Sequence, residues 1–562
     1  MRALYLRLAA DGIRRERRFY LPFLLTAAGV SAVQYILFFL AGDVGLDQIS
    51  GGATLRAILQ LGSFVIAAFA ALFLFYTHAF LTRRRGRKFG LYSVLGMGKR
   101  SLASILFWET LFSFVLSLSI GLLAGAALAK LAELGLYRIT GGTVNYSLRL
   151  SGAGLGETVA IFGVIFLLLF FDSLCRIGLA DTVTLTKSES LGEKPPRANP
   201  VLGVLGLLLL LGAYALAITI KDPIAAIGLF FFAVLMVIVG TYLVFIAGSV
   251  LLCRLLQRNK RYYYKPAHFV SVSSMAFRMK RNGAGLASVC ILATMVLVMI
   301  SSTTCLYFGE EDVVRTRYPE DMRVEFVFWD DEETDAAAAD TDALRALVLA
   351  EAADAGAEPI DFREDFTVYP KSGNARYICT FDTAADDDAQ TALWRALLRR
   401  FRTDEAKEQY GYAQFFCDSR AVARGDFYGS FGGMFFLGIL LSSVFICAAV
   451  LILYYKQITE AAEDASRFAI MQKVGMTARE IRRSVNSQML TVFFLPLLLA
   501  GVHLACAFPM IAKLLTLFGM YNTGLFAATT GVSFAVFAAL YALVWRVTSG
   551  AYCDIVGGTQ AT

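Results

Sequence analysis

The sequence predicts an all-α polytopic membrane protein with about ten transmembrane helices and one α+β extracellular domain. Three observations carry this: too few charges for a water-facing surface, repeated apolar runs of membrane length, and a charge that splits by position. The 562-residue chain is 57% hydrophobic and 17% charged, with a mean hydropathy of +0.60. A soluble chain of this size carries nearer a quarter charged residues, so lipid faces many of its helices.

A helix needs about 20 apolar residues to cross the hydrocarbon core. Such runs fall near 20–41, 58–81, 102–130, 156–177, 200–220, 224–252, 284–307, 429–455, 486–515 and 523–546. The first, from Phe19 to Ala41, is too long for a signal-peptide core and is read as a retained span. Lysine and arginine bias orients the rest. The N-terminal segment (Arg2, Arg7, Arg14, Arg15, Arg17, Arg18), the loop after span two (Arg83, Arg84, Arg85, Arg87, Lys88, Lys99, Arg100) and the loop after span six (Arg254 to Arg281) are basic. Ten spans put all three on one side, which is then cytoplasmic, with both termini inside.

Residues about 308–428 then lie outside the bacterial plasma membrane. From 309 to 428 the chain holds about 28 of the 45 acidic residues against about 14 basic ones, near −14, leaving the remainder near +21. At roughly 120 residues the segment is long enough to bury a core. Met322 to Phe328 alternates like a strand; Phe366 to Tyr369 and Tyr377 to Phe381 read as short strands; Asp342 to Ala353 and Asp388 to Phe401 read as helices. Asp330 to Asp342, rich in Asp, Glu and Ala, reads as a solvated loop. Cys379 and Cys417 are candidates for a disulfide, with connectivity open.

Catalytic motifs are missing. Gly98-Lys99-Arg100 resembles the end of a phosphate-binding loop, but Ser93 and Arg100 break the required spacing. There is no H-E-x-x-H, G-x-S-x-G, C-x-x-C or C-x-x-C-H pattern, so the chain is expected to be no enzyme, with no cofactor, no metal and no nucleic acid of its own. Glu109 lies within span three; an intramembrane acid is a functional candidate, here for coupling, with snorkelling or pairing to Arg100 as the plainer alternatives. His78 and His503 read as packing residues, Lys130 and Lys513 as side chains reaching the interface, and Gly121 and Gly125 as a single G-x-x-x-G.

The chain also repeats itself. Lys88 to Leu102, after span two, aligns without gaps with Arg467 to Ile481, after span eight, sharing Phe89/Phe468, Gly96/Gly475, Met97/Met476 and Arg100/Arg479. Each copy suggests a short amphipathic helix ending at a glycine, where a left-handed cap costs no steric clash, followed by a helix leading into the next span.

On these residues the sequence resembles the FtsX-like permease family of ABC transporters, whose loops carry an aliphatic-x-x-aliphatic-Gly-(Met/Ala)-(Thr/Ser) pattern ahead of basic residues. Ala469 to Arg479 matches closely and Gly90 to Arg100 more loosely, with Gly98 where Thr or Ser is usual. The ten-span plan, the segment Leu4 to Leu24, and Ser274 to Asn282 leading into Ile291 to Val298 resemble the bacitracin-export (BceB-type) branch. The outer domain does not share the likeness. The resemblance implies two pseudo-symmetric four-helix groups plus a linking pair. It divides the chain into 1–177, a first half; 178–256, a cytoplasmic linker with helices five and six; 257–307, a cytoplasmic segment and helix seven; 308–428, the acidic extracellular domain; and 429–562, helices eight to ten completing the second half.

The resemblance further implies a permease that binds two copies of a separate ATPase, which would hold the ATP and magnesium. Docking would fall on Phe89, Leu91, Val94, Leu95 and Gly96 in one half, and on Phe468, Ile470, Lys473, Val474, Gly475 and Met476 in the other. The expected substrates are cell-wall-active peptide antibiotics or their lipid complexes, with a membrane histidine kinase as a further partner. The acidity of the outer domain fits attraction of cationic peptides and fits solubility equally. Two alternatives stay open: ATPase-driven regulation of extracellular cell-wall enzymes, and lipid or lipoprotein extraction.

Overall fold

A computed structural model describes residues 2–48, 51–141, 147, 149–179, 200–258, 266–329, 341–369, 374–473 and 478–558. It opens with α1 (Arg2–Arg15), α2 (Arg17–Ala41), α3 (Gly52–Val94), α4 (Lys99–Thr140), α5 (Gly152–Leu179), α6 (Pro200–Thr219) and α7 (Pro223–Leu243). A π-helical turn (Val244–Gly248), α8 (Ser249–Arg258) and α9 (Pro266–Phe308) follow. The inserted domain comprises α10 (Glu310–Arg317), β1 (Met322–Trp329), α11 (Thr341–Asp354), β2 (Pro359–Tyr369), β3 (Asn374–Thr383), α12 (Asp387–Phe401), α13 (Asp404–Tyr410) and β4 (Gln414–Ser419). The chain closes with α14 (Arg420–Lys473), α15 (Ala478–Leu517) and α16 (Thr523–Gly558). Ten of the described helices are long and apolar enough to cross a membrane, one for each expected span. The fold is that of a polytopic membrane protein with an α+β domain.

Two helices far exceed bilayer thickness. α3 has 43 residues and α14 has 54, roughly 65 and 80 Å. The short separate helix expected ahead of Gly96 is therefore the end of α3 itself. Between Ala79 and Val94 no proline interrupts the chain, and the arginines there are good helix formers.

Within the first group α2 packs against α3, α4 and α5; within the second, α9 packs against α14, α15 and α16. The α2–α4 crossing runs through the G-x-x-x-G. A Cβ on Gly121 would lie 2.6 Å from the Ala28 carbonyl oxygen, and one on Gly125 2.9 Å from that of Ala32. Small residues at i and i+4 on both helices thus bring backbone to backbone. The groups meet at α3 and α14 by reciprocal insertion: Leu55 of α3 sits over Gly433, and Leu437 of α14 sits over Gly62. The α6–α7 pair packs on α15. There His503 bridges both of its helices, with the Tyr214 hydroxyl 2.6 Å from Nδ1 and the Thr241 hydroxyl 3.1 Å from Nε2. His78 likewise joins two helices, its Nε2 being 2.6 Å from the Ser173 hydroxyl. Lys130 does not simply reach for the interface: it pairs with buried Glu133 at 2.9 Å, one turn further along α4. Lys513 is exposed.

The inserted domain is a four-stranded antiparallel sheet of order β2-β3-β1-β4. Met322, Val324, Phe326 and Phe328 alternate with more exposed residues and join Tyr377, Phe381, Leu393, Leu397 and Phe401 in one core, with Leu344 and Val348 of α11. β2 is longer than expected and β4 was not foreseen. Of the tract Asp330–Asp342, only Thr341 and Asp342 are described, and both begin α11. Cys379 and Cys417 stand on either side of Val324, one on β3 and one on β4. Two strand spacings separate their Cα atoms by about 10 Å, beyond the reach of about 7 Å for a disulfide. Both are free, and burial pushes the Cys379 thiol up to about 11.

Candidate docking site at the Gly96 turn

α3 ends because Gly96 adopts φ +91°, a left-handed conformation that a side chain would strain. The Met97 N–H donates to the Tyr92 carbonyl at 3.0 Å and the Gly96 N–H to that of Ser93 at 3.1 Å. These two bonds satisfy helix-end carbonyls in the Schellman pattern. α4 then starts at Lys99. The result is a tight helix–glycine–helix tip at the end of the molecule opposite the sheet domain.

On this tip Leu91, Val94 and Leu95 are 55%, 66% and 72% exposed, and nothing lies within 4 Å of where a Gly96 Cβ would be. Three apolar side chains on a basic, non-spanning loop make a compact surface for a partner. Phe89, expected among the docking residues, faces inward instead. It is buried with Ala9 of α1 and Leu102, Ile105 and Leu106 of α4, so it holds the tip from beneath. In the second copy, Phe468, Ile470 and Lys473 fall on the last turns of α14; Val474, Gly475 and Met476 lie outside the described residues.

Beneath the tip lies a layer of charge that the sequence reading missed. Glu109 forms a buried ion pair with Arg85 of α3, not with Arg100. Arg100 is nine positions from Glu109 on one helix, hence on the opposite face, and is exposed. The Arg85 guanidinium also sits 5.4 Å from the Tyr20 ring and 5.5 Å from the Phe89 ring, a stacking that adds a cation–π contribution. One turn on, Lys88 pairs with Glu16 at 2.6 Å. α1 crosses here so closely that a Cβ on Gly12 would lie 2.7 Å from the Glu109 Oε1, and the Tyr5 and Ser101 hydroxyls meet at 3.1 Å. Four elements thus converge on Arg85 and Glu109. One signal was available: Arg85, Phe89 and Tyr92 recur at i, i+4 and i+7, one face of a helix.

The ten apolar helices define a multi-pass membrane protein. Residues 61–178, which hold most of span two, spans three and four and the Gly96 turn, match the family model described as FtsX-like permease C-terminal, and they form an FtsX-like permease domain. Among curated relatives, the bacitracin export permease protein BceB of Bacillus subtilis (strain 168) is 24% identical over 311 residues, 53% of this chain and 48% of that protein. An uncharacterized ABC transporter permease of the same organism, YvcS, is 26% identical over 298 residues, 53% of this chain and 46% of the relative. The chain spans about half the length of these two. The ABC transporter permease protein YxdM of that organism is 21% identical over 597 residues, covering 89% of this chain and 92% of the relative.

Proposed function

We propose that this chain is the non-catalytic membrane subunit of an ABC transporter that acts on cell-wall-active peptides, such as bacitracin, or on their lipid complexes. The observation that carries the reading is the exposed apolar tip at Gly96, inside the FtsX-like domain. Burying a valine or leucine side chain contributes roughly 1.5–3 kcal/mol, so three in one ATPase groove make a serviceable anchor. A separate ATPase would bind ATP and magnesium, one copy at the Gly96 turn and one at the second copy of the sequence repeat, around Gly475. The basic tips and both termini would lie in the cytoplasm and the sheet domain outside, as the charge bias requires. Peptide or peptide–lipid complex would be met at the outer face, and a membrane histidine kinase would be a further partner.

Replacing Val94 and Leu95 together by Asp tests this. The expected result is loss of the ATPase copy at this tip, so that the purified complex holds about half as much ATPase, and at least a tenfold fall in the bacitracin concentration the cells tolerate. Retention of both would overturn the docking assignment. A second reading, ATPase-driven regulation of extracellular cell-wall enzymes, draws support from the unbroken course of α14 between sheet domain and docking end. A deletion strain with normal peptide tolerance but a cell-separation defect would favour it.

A further inference from the structure

The sheet domain is joined to the membrane part by only two chain crossings, Gly309 after α9 and the junction of β4 with α14. A domain hung on two points, one of them a glycine, would pivot unless something fastened it. We propose that Arg420 and Arg424 are positioning residues that lock the outer domain to α14, so that domain and helix move as one body.

Both arginines lie on the first turns of α14, four residues apart and so on one face. Arg420 donates from Nε to the Tyr318 carbonyl at 2.8 Å, from Nη1 to Asp321 Oδ1 at 2.7 Å, and from Nη2 to the Pro319 carbonyl. Its own backbone N–H reaches the Asp321 carbonyl at 2.8 Å. One planar fork therefore gathers the whole segment between α10 and β1, a task a lysine could not perform. Arg424 reaches Asp387 of α12 at 2.8 Å and Glu311 of α10 at 3.3 Å, tying the domain and the collar helix to the same rod. The collar is held from its other side as well: Asn522, ahead of α16, donates to Asp312 at 2.8 Å.

A lone surface ion pair would contribute little, but a multidentate network is the exception. The Arg420 side chain is 19% exposed. The arginines are not part of what folds the domain, because its core is built from β1, β3, β4, α11 and α12 without them. Their contacts fall on the edge of the domain that faces the hinge: Asp321 ahead of β1, Asp382 near the end of β3 at 3.7 Å, and Asp387 at the start of α12. The inference needs only the fold, so it stands or falls apart from the transport reading.

Hydrogen exchange on the full-length protein in lipid nanodiscs tests it. In Arg420→Ala/Arg424→Ala, amides of 313–318 and 384–390 are expected to exchange about tenfold faster, through opening at the hinge, while 322–328 and 375–381 stay within twofold of wild type. Arg424→Lys, able to reach only one carboxylate at a time, is expected to fall between. Unchanged protection at 313–318 would overturn the proposal. So would equal acceleration of the core strands, since the arginines would then be fold stabilisers. If the double variant yields no protein, Glu311→Gln/Asp387→Asn removes the partners of Arg424 instead and is read by the same two criteria.

Discussion

At the scale of single residues, Arg85 and Glu109 matter most, because each is costly without the other. Both are almost inaccessible, so solvent does little to screen them. Removing one partner of a buried pair leaves an uncompensated charge, at a cost of about 3–5 kcal/mol, whereas replacing both with apolar side chains is often near neutral. Arg85→Leu alone is thus expected to lower the melting temperature steeply, and Arg85→Leu/Glu109→Leu to recover most of it. The double variant separates stability from coupling: if it melts like wild type and still confers peptide tolerance, Glu109 has no coupling role. Glu109 was visible in the sequence as an acid within a span; its partner was not. The nearest arginine along the chain lies on the wrong face of α4, and Arg85 was counted as one charge among seven in a topological signal. Only the approach of α3 to α4 selects it.

At the scale of elements, the spans were legible because burial in lipid demands a long run of apolar residues, a signal each span carries by itself. Where a helix leaves the membrane that signal stops, which is why the continuation of α3 to Val94 read as a separate short helix. β4 was missed for a related reason: six residues, Gln414–Ser419, hold too few alternations to stand out. The G-x-x-x-G was legible but not interpretable, since glycine is common in spans and only the partner surface decides. That surface is now defined as the backbone of α2. Gly121→Val is expected to push α4 off α2 and destabilise by about 1–3 kcal/mol, the range for overpacking a close contact. Gly163→Ala, in α5 with nothing within 4 Å of its added Cβ, is the control and should be neutral or slightly stabilising. Equal effects in a thermal melt would mean that glycine content, not the α2–α4 contact, sets stability.

At the scale of the whole molecule, the helices that carry the two copies of the repeat, α3 and α14, lead to different places. Both helices have one end by the sheet domain, where Gly51, just ahead of α3, meets Asp426 of α14. α3 stops there at Gly52, while α14 enters the sheet domain directly after Ser419. The sequence repeat suggested equivalent inputs, because it records only the tips and not where their helices lead. If Arg420 and Arg424 grip the domain as proposed, α14, a rod of roughly 80 Å packed on α3 through Leu55 and Leu437, would pass movement of its other end straight to the domain. Movement of the first tip would reach it through contacts between the groups, among them the Gly51 N–H on the Asp426 side chain. If the transport reading is right, the inputs are therefore unequal. With a fluorophore on the outer domain and a second one in α5, adding ATP to the assembled complex should change energy transfer. Val94→Asp/Leu95→Asp should leave part of that change, and Gly475→Asp should abolish it. Equal loss from both would mean that the halves close only together, and that the interface between α3 and α14, rather than the rod, carries the motion outward.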